Sequence, residues 1–363
     1  MHNTADSDES RAGRVLFVKG DVTHTRTFRV VNPPAKDSPV FAGDVFTTGK
    51  DGFVTLSFTA DSSINIQPDS QISIANIDCA DKKKRCEIIV NVESGEAHSE
   101  VTPRADNETP VNFKVVTPYL SAAVRGTAFY VDASLEFDLI GVTQGSVATS
   151  SNGVDNTLPK GKGIKAIEGV QPTVVDLLDA PELTVDPACR EHYVLSNEDV
   201  LRWNDITGAD KYRVDYSLQS STENLILKQE VDRPFTQHIV SAPGKYLVSV
   251  RGIDEQGFLG LPTSDVITVA QITETETVEL SVHREDNLVI ISSPGYKDPV
   301  ELKIYNSFDS GITICKNIED LSNGISVRLD STRDWILRAR KRLGETSVSR
   351  YSLEHVLEAN NQP

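Results

Sequence analysis

The chain has 363 residues, of which 38% are hydrophobic and 25% are charged. This composition is typical of a soluble globular protein with two or three domains. Its formal net charge of -17 argues against general nucleic-acid binding, which needs a basic face to displace phosphate counterions. No stretch approaches the roughly 18 consecutive apolar residues of a membrane-spanning helix, so we expect no membrane span in this chain.

Residues 1–12 are predicted to be disordered, because nearly all of them are polar or charged. Residues 2–14 also lack the apolar core of a signal peptide. Two interpretations remain open: a cytosolic protein, or an exported protein whose signal peptide has been removed. We favour export, since Met1 is the only methionine and fits an added start codon.

The first predicted domain covers residues 13–171 and consists of short strands separated by turns. Apolar and β-branched residues recur in a partly alternating pattern, for example in residues 14–18 and 52–58. Gly20-Asp21 and Gly43-Asp44 supply positive φ angles and side-chain caps at the turns. Many short strands of this kind predict an all-β sandwich, barrel or solenoid.

The four cysteines predict at least one disulfide. Cys79 and Cys86 lie at the two ends of a basic stretch between strand-like segments, so a hairpin would bring their Cα atoms within the roughly 7 Å that a disulfide requires. Cys189 and Cys315 are the remaining pair, and the sequence does not determine the connectivity. Disulfides would indicate an oxidising compartment; the alternative is four buried free thiols.

The triplet Arg125-Gly126-Thr127 follows a run of small and apolar residues and leads into a predicted strand. The guanidinium of Arg125 has five donors in a planar fork, which suits it to binding several carbonyls or a carboxylate. We interpret the triplet as a structural corner held by this side chain. The alternative is an anion-binding site.

The order of these segments resembles the FecR domain, a periplasmic β-rich module. The segments that carry the resemblance are residues 13–22, 40–48, 52–58, 61–74, 92–97, 116–118, 124–129, 142–148 and 159–163. The resemblance implies short strands coiled as a β-solenoid or β-sandwich, and a Gram-negative cell envelope as the setting. The regulator that gives the family its name has a cytoplasmic segment and a membrane helix, which we do not find in the first twelve residues.

Residues 180–270 resemble a fibronectin type III domain, with Trp203 as the core residue of an early strand. Alternation at period two predicts that one set of side chains in a later strand points inward and the other outward. The predicted inward set is Tyr246, Val248 and Val250, and the predicted outward set is Leu247, Ser249 and Arg251. The segment is therefore predicted to form a β-sandwich.

Residues 272–356 look like a degenerate copy of the same domain. Here the alternation places Trp335, Leu337 and Ala339 inward. It sends three arginines outward as a basic patch: Arg338, Arg340 and Arg342. A second basic patch is predicted at the tip of the cysteine hairpin: Lys82, Lys83, Lys84 and Arg85. Either patch is a candidate contact for an anionic partner, and the alternative is a role in solubility.

The sequence contains no nucleophile elbow, phosphate-binding loop or dinucleotide fingerprint, and its seven histidines are scattered. We therefore predict a non-enzymatic protein without cofactor or metal. The predicted function is that of a periplasmic scaffold or adaptor, which binds an envelope protein or a cell-wall polymer and is part of a peptidoglycan-associated assembly. The alternatives are a FecR-type regulator coupled to an outer-membrane receptor and a polysaccharide-binding protein.

Overall fold

A computed structural model describes residues 13–26, 29–31, 33–59, 62–79, 86–102, 111–124, 126–183, 194–195, 200–218, 225–237, 240, 242–306, 313–344 and 346–359. The elements of these residues are all β-strands. This confirms the predicted all-β fold class. Within the described ranges, no helix has the length and hydropathy that crossing a membrane would need.

The chain divides into two compact units that differ from the predicted domains. Unit 1 comprises Met1–Pro181, Ile206–Asp232 and Ser249–Thr263, and unit 2 comprises Glu182–Asp205, Arg233–Val248 and Ser264–Pro363. Two parts of the predicted second domain thus belong to the same compact unit as the FecR-like domain. The boundaries 13–171, 180–270 and 272–356 themselves stay predictions.

The described residues of the FecR-like part of unit 1 form seventeen strands. They are β1 (Gly13–Lys19), β2 (Val22–Arg26), β3 (Arg29–Val31), β4 (Pro39–Val40), β5 (Asp44–Thr48), β6 (Phe53–Thr59), β7 (Ser62–Ile66), β8 (Gln71–Asp78), β9 (Cys86–Val101), β10 (Val111–Val116), β11 (Ser121–Val124), β12 (Thr127–Ala133), β13 (Asp138–Gln144), β14 (Ser146–Ser151), β15 (Val154–Pro159), β16 (Lys162–Ala166) and β17 (Thr173–Asp176).

These strands form two sheets that share the long strand β9. Sheet A has the order β4-β1-β6-β7-β9-β12-β13-β16-β17. Sheet B has the order β3-β2-β5-β8-β9-β10-β11-β14-β15. Strand β9 changes sheet at Gly95, which adopts a φ of 82° that favours glycine. Both sheets contribute inward side chains to one core, among them Leu56, Val131, Ile72 and Phe113.

The turn at Gly43-Asp44 has the predicted form. Gly43 has a φ of 90°, and the buried carboxylate of Asp44 accepts a hydrogen bond from the backbone N–H of Phe41 at 2.9 Å. The same carboxylate binds Arg26 and lies 3.0 Å from His24. Burial alone would raise the pKa of Asp44, but the hydrogen bonds from Arg26 and His24 lower it to about 2.

A row of directly opposed residues crosses the outer face of sheet A: Thr55, Asn65, His98, Tyr130, Gly141 and Gly163. The ring of Tyr130 rests on the bare backbone of Gly141, where an added Cβ would overlap it. The Tyr130 hydroxyl donates to the carbonyl of Leu259 at 3.1 Å and accepts from its N–H at 2.8 Å. Gly141 therefore provides the space that lets Tyr130 reach Leu259.

We expect Gly141→Ala to lower the free energy of unfolding by about 1–3 kcal/mol, because the new methyl group would displace the Tyr130 ring from a packed site. Chemical denaturation of the full chain measures this loss. Gly344→Ala is the control, since an added Cβ there meets no atom within 4 Å. Equal stability of the two variants would contradict the packing role of Gly141.

Seven strands follow in the described part of residues 182–269. They are β18 (Val194–Leu195), β19 (Val200–Arg202), β20 (Lys211–Leu218), β21 (Leu225–Val231), β22 (Phe235–Gln237), β23 (Gly244–Ile253) and β24 (Thr263–Val269). In unit 1, β20 and β21 form an antiparallel pair. In unit 2, β19 pairs with β22 in antiparallel and β18 with β24 in parallel orientation.

The predicted core of this segment is confirmed in part. Trp203, Tyr246, Val248 and Val250 are buried, as the alternation predicts. The prediction that Ser249 and Arg251 face outward to solvent is wrong, because both are also buried. The outward face of this part of β23 is covered, and there the Arg251 guanidinium lies 3.7 Å from the Asp215 carboxylate.

In the last part of unit 2, the residues that the structure describes form nine strands. They are β25 (Gln271–Glu274), β26 (Ser281–Glu285), β27 (Leu288–Ser292), β28 (Val300–Tyr305), β29 (Thr313–Ile318), β30 (Ile325–Arg328), β31 (Trp335–Lys341), β32 (Ser347–Ser349) and β33 (His355–Leu357). A three-stranded sheet β26-β27-β30 and a four-stranded sheet β29-β28-β31-β33 enclose one core. Trp335, Leu337 and Ala339 lie in that core, as predicted for a fibronectin type III-like sandwich.

Candidate functional site

A buried ionic cluster lies on the outer face of sheet A within unit 1. Glu96 of β9 accepts hydrogen bonds from Arg213 of β20 and from Lys228 of β21, the latter at 2.9 Å. The guanidinium of Arg213, only 1% exposed, also donates to Gln67 at 2.8 Å and to Asp215 at 2.7 Å. We call the following residues the Glu96 cluster: Gln67, Glu96, His98, Arg213, Asp215, Lys228 and Arg251. The cluster attaches β20 and β21 to the FecR-like sheet.

The charges of this cluster stabilise one another. Burial alone would raise the pKa of Glu96, but the positive charges of Arg213 and Lys228 and the hydrogen bond with His98 hold it well below its usual value. Glu96 is therefore ionised at neutral pH. A buried charge with this many hydrogen-bonded partners is tolerated, whereas removing one partner leaves an uncompensated charge.

Asp132 is the unusual carboxylate of this surface. It lies directly opposite Glu96 in the antiparallel pair of β12 and β9, an arrangement in which like charges repel. Burial and the charge of Glu96 raise the pKa of Asp132 to about 6, although Lys228 and Arg213 act in the opposite direction. The two opposed carboxyl groups thus titrate in different pH ranges.

A cavity of about 300 Å³ adjoins the cluster, a volume at the lower end of the range for ligand pockets. Half of its twelve lining residues are acidic, and the lining is formed by Glu96, Tyr130, Asp132, Asp210, Lys211, Arg213, Glu230, Ile253, Asp254, Glu255, Gly257 and Leu259. Among the described residues, no group of three or more histidine, cysteine or acidic side chains is arranged to hold a metal ion. The surface can pair charges and exchange protons.

The predicted corner motif is described only in part, since Arg125 lies outside the described residues. Gly126 has a φ of 73° and lies between β11 of sheet B and β12 of sheet A. The Thr127 hydroxyl donates to the carbonyl of Ser146 at 2.8 Å. These two residues therefore lie where the chain passes between the sheets, and the role of the Arg125 side chain stays a prediction.

The predicted cysteine clasp is present as a disulfide between Cys79 and Cys86, with a Cα–Cα distance of 4.1 Å. Cys315 is also disulfide-bonded, and Cys189 lies outside the described residues. The basic tip predicted as a partner contact, Lys82, Lys83, Lys84 and Arg85, lies outside them as well.

The second basic patch is only partly a surface. Arg338 is 29% exposed and pairs with Glu354, and Arg342 is half-buried. The prediction that Arg340 faces solvent is wrong, because its side chain is fully buried and binds the Glu301 carboxylate at 2.9 Å and 3.1 Å. Residues 349–352 run alongside β31, and the Tyr351 ring covers the Arg340 guanidinium, with 4.4 Å between Cζ and the ring centroid.

The Glu96 cluster was not predicted from the sequence. The one local signal is the spacing of Arg213 and Asp215, which places opposite charges on the same face of a strand whose neighbours are apolar. The partner Glu96 is 117 positions away along the chain. Strand alternation assigns a residue to a face but does not say which distant strand covers that face.

Residues 44–148 match the family model described as "FecR protein", which confirms the resemblance over that stretch. No curated protein matches the chain. Two solved structures of putative anti-sigma factors from Parabacteroides distasonis align with this chain. The first has 17% identity and a TM-score of 0.30, and the alignment covers 36% of this chain and 59% of that one. The second has 13% identity and a TM-score of 0.31, and the alignment covers 52% of this chain and 84% of that one. A two-domain fibronectin type III segment of chicken tenascin aligns with 16% identity and a TM-score of 0.20, and the alignment covers 50% of this chain and 99% of that segment. Likenesses this loose do not bear on function.

Proposed function

We propose that this protein is a non-catalytic scaffold or adaptor of the bacterial cell envelope, which binds a protein or cell-wall partner. The observation that carries the proposal is the Glu96 cluster. Its buried ion pairs attach the fibronectin-type strands β20 and β21 to the FecR-like sheets within one compact unit. A rigid unit of this kind suits a protein that presents a binding surface at a fixed position.

The disulfide between Cys79 and Cys86 supports a periplasmic location, because disulfides persist in oxidising compartments. The FecR family match over residues 44–148 points to the same setting. More specifically, we propose that the protein is part of a peptidoglycan-associated assembly.

Crosslinking in the native envelope followed by mass spectrometry tests the proposal. We expect crosslinks to an envelope protein or to cell-wall material. If Arg338, the remaining exposed part of the basic patch, contacts an anionic partner, Arg338→Glu will lower the yield of these crosslinks. Lys162→Glu is the matched charge reversal at an exposed site of unit 1. A chain that gives no envelope crosslinks would contradict the scaffold function, and equal yields from the two variants would exclude Arg338 as a contact.

A second candidate is a FecR-type regulatory protein coupled to an outer-membrane receptor. The family match over residues 44–148 favours it. The two candidates differ in the partner recovered by crosslinking and in the effect of deleting the gene. A regulator yields a receptor and a change in transcription of the receptor's genes, whereas a scaffold yields structural envelope components without that change.

A further inference from the structure

The attachment of β20 and β21 to sheet A involves two groups that can exchange protons near neutral pH. Asp132 and His98 lie on adjacent strands, and both are neighbours of Glu96. Asp132 faces Glu96 across the strand pair, and His98 Nε2 contacts the Glu96 carboxylate. No hydrogen bond or ion pair joins the Asp132 side chain to another described residue.

We propose that Asp132 and His98 are a compensating pair of proton-binding groups, which keeps β20 and β21 attached to sheet A as the surrounding pH changes between about 5 and 7. The proposal concerns the chain alone and holds for any partner.

The groups that face the pair from the elements around it are Glu96 on β9, Tyr130 on β12, Asp138 on β13, Lys165 on β16, Asp210 before β20, Lys211, Arg213 and Asp215 on β20, Lys228 and Glu230 on β21, Arg251 on β23, and Asp254 and Glu255 after it.

The charges of the Glu96 cluster explain why two opposing groups are needed. With His98 neutral, the positive charges of Arg213, Lys228 and Arg251 balance the negative charges of Glu96, Asp215 and Asp132. A proton added at His98 leaves one uncompensated positive charge in a largely desolvated region, whereas a proton added at Asp132 removes a negative charge that burial and Glu96 disfavour. Attachment is therefore sensitive to which of the two groups takes the proton.

The two groups respond to acid in opposite directions. The pKa of Asp132 is raised to about 6 in the attached state, so attachment binds a proton there and becomes more favourable as the pH falls through 6. The pKa of His98 is lowered, chiefly because burial disfavours the imidazolium and despite the attraction of Glu96. Detachment lets His98 take up a proton, so attachment becomes less favourable as the pH falls below the ordinary histidine value.

Hydrogen exchange of β20 in the full chain, corrected for the intrinsic rate at each pH, measures how often these strands open. In Asp132→Asn only the His98 response remains, and β20 is expected to open more often at pH 5 than at pH 7. In His98→Gln the Asp132 response remains, and opening is expected to fall by about tenfold over the same range. The unaltered chain is expected to change less than either variant.

Glu136→Gln is the control, since it removes one exposed carboxylate without touching the cluster. The proposal is overturned if both variants keep the pH profile of the unaltered chain, or if their profiles have the reverse signs. Should a variant fail to fold, imidazole NMR of the unaltered chain decides: His98 must remain neutral at a pH at which free histidine is half protonated, and its protonation there would reject the pair.

Discussion

Arg213→Met is expected to lower the free energy of unfolding of unit 1 by about 3–5 kcal/mol, the usual cost of removing one partner from a buried ion pair. The substitution keeps most of the side-chain volume, so the loss is mainly electrostatic. Glu96 would retain Lys228 and His98, but Asp215 and Gln67 would each lose a hydrogen bond from the guanidinium. Scanning calorimetry or urea unfolding of the full chain measures the effect.

The matched control is Lys162→Met, which breaks the exposed ion pair with Asp176, whose side chains are 38% and 82% exposed. Exposed pairs contribute only about 0–1 kcal/mol, so this variant is expected to remain close to the unaltered chain. If Arg213→Met were as stable as Lys162→Met, the Glu96 cluster would not be what attaches β20 and β21. The rigid unit on which the scaffold proposal rests would then lose its support.

The all-β fold could be predicted because its signals are local. Strand periodicity and glycine turns such as Gly43-Asp44 depend only on neighbouring residues, and the structure confirms both. The sharing of β9 between two sheets could not be predicted in this way. It depends on Gly95, where one glycine with a positive φ lets a continuous strand change its partners, and nothing in the neighbouring sequence identifies those partners.

The candidate site was missed for a related reason. Alternation correctly placed Tyr246, Val248 and Val250 on the inward face, yet the opposite face is buried as well at Arg251. A charged residue at an outward position is normally taken as solvated. In this chain such positions pair with oppositely charged residues from distant strands, and only the tertiary structure brings the two together.

Arg340 shows the same effect in unit 2 and leads to the second large expected result. Arg340→Met is expected to lower the free energy of unfolding of unit 2 by about 3–5 kcal/mol, because it leaves the buried Glu301 carboxylate without its cation. Glu301 also accepts a hydrogen bond from the Tyr351 hydroxyl at 2.8 Å. That hydroxyl does not neutralise a carboxylate that is 5% exposed. Urea unfolding followed by tryptophan fluorescence reports on unit 2, which contains both Trp203 and Trp335.

Arg338→Met is the matched control for Arg340→Met. Arg338 lies two positions before Arg340 on the same strand, and its side chain is partly exposed rather than buried. Its partner Glu354 is 44% exposed, so its loss is expected to cost at most about 1 kcal/mol. The two arginines also differ in their expected effect on partner binding, which Arg338 can influence directly and the buried Arg340 cannot. A stable Arg340 variant with weakened crosslinking would mean that β31 presents both arginines to a partner and that residues 349–352 do not cover it. A destabilised Arg340 variant would instead confine the basic contact to Arg338 and Arg342.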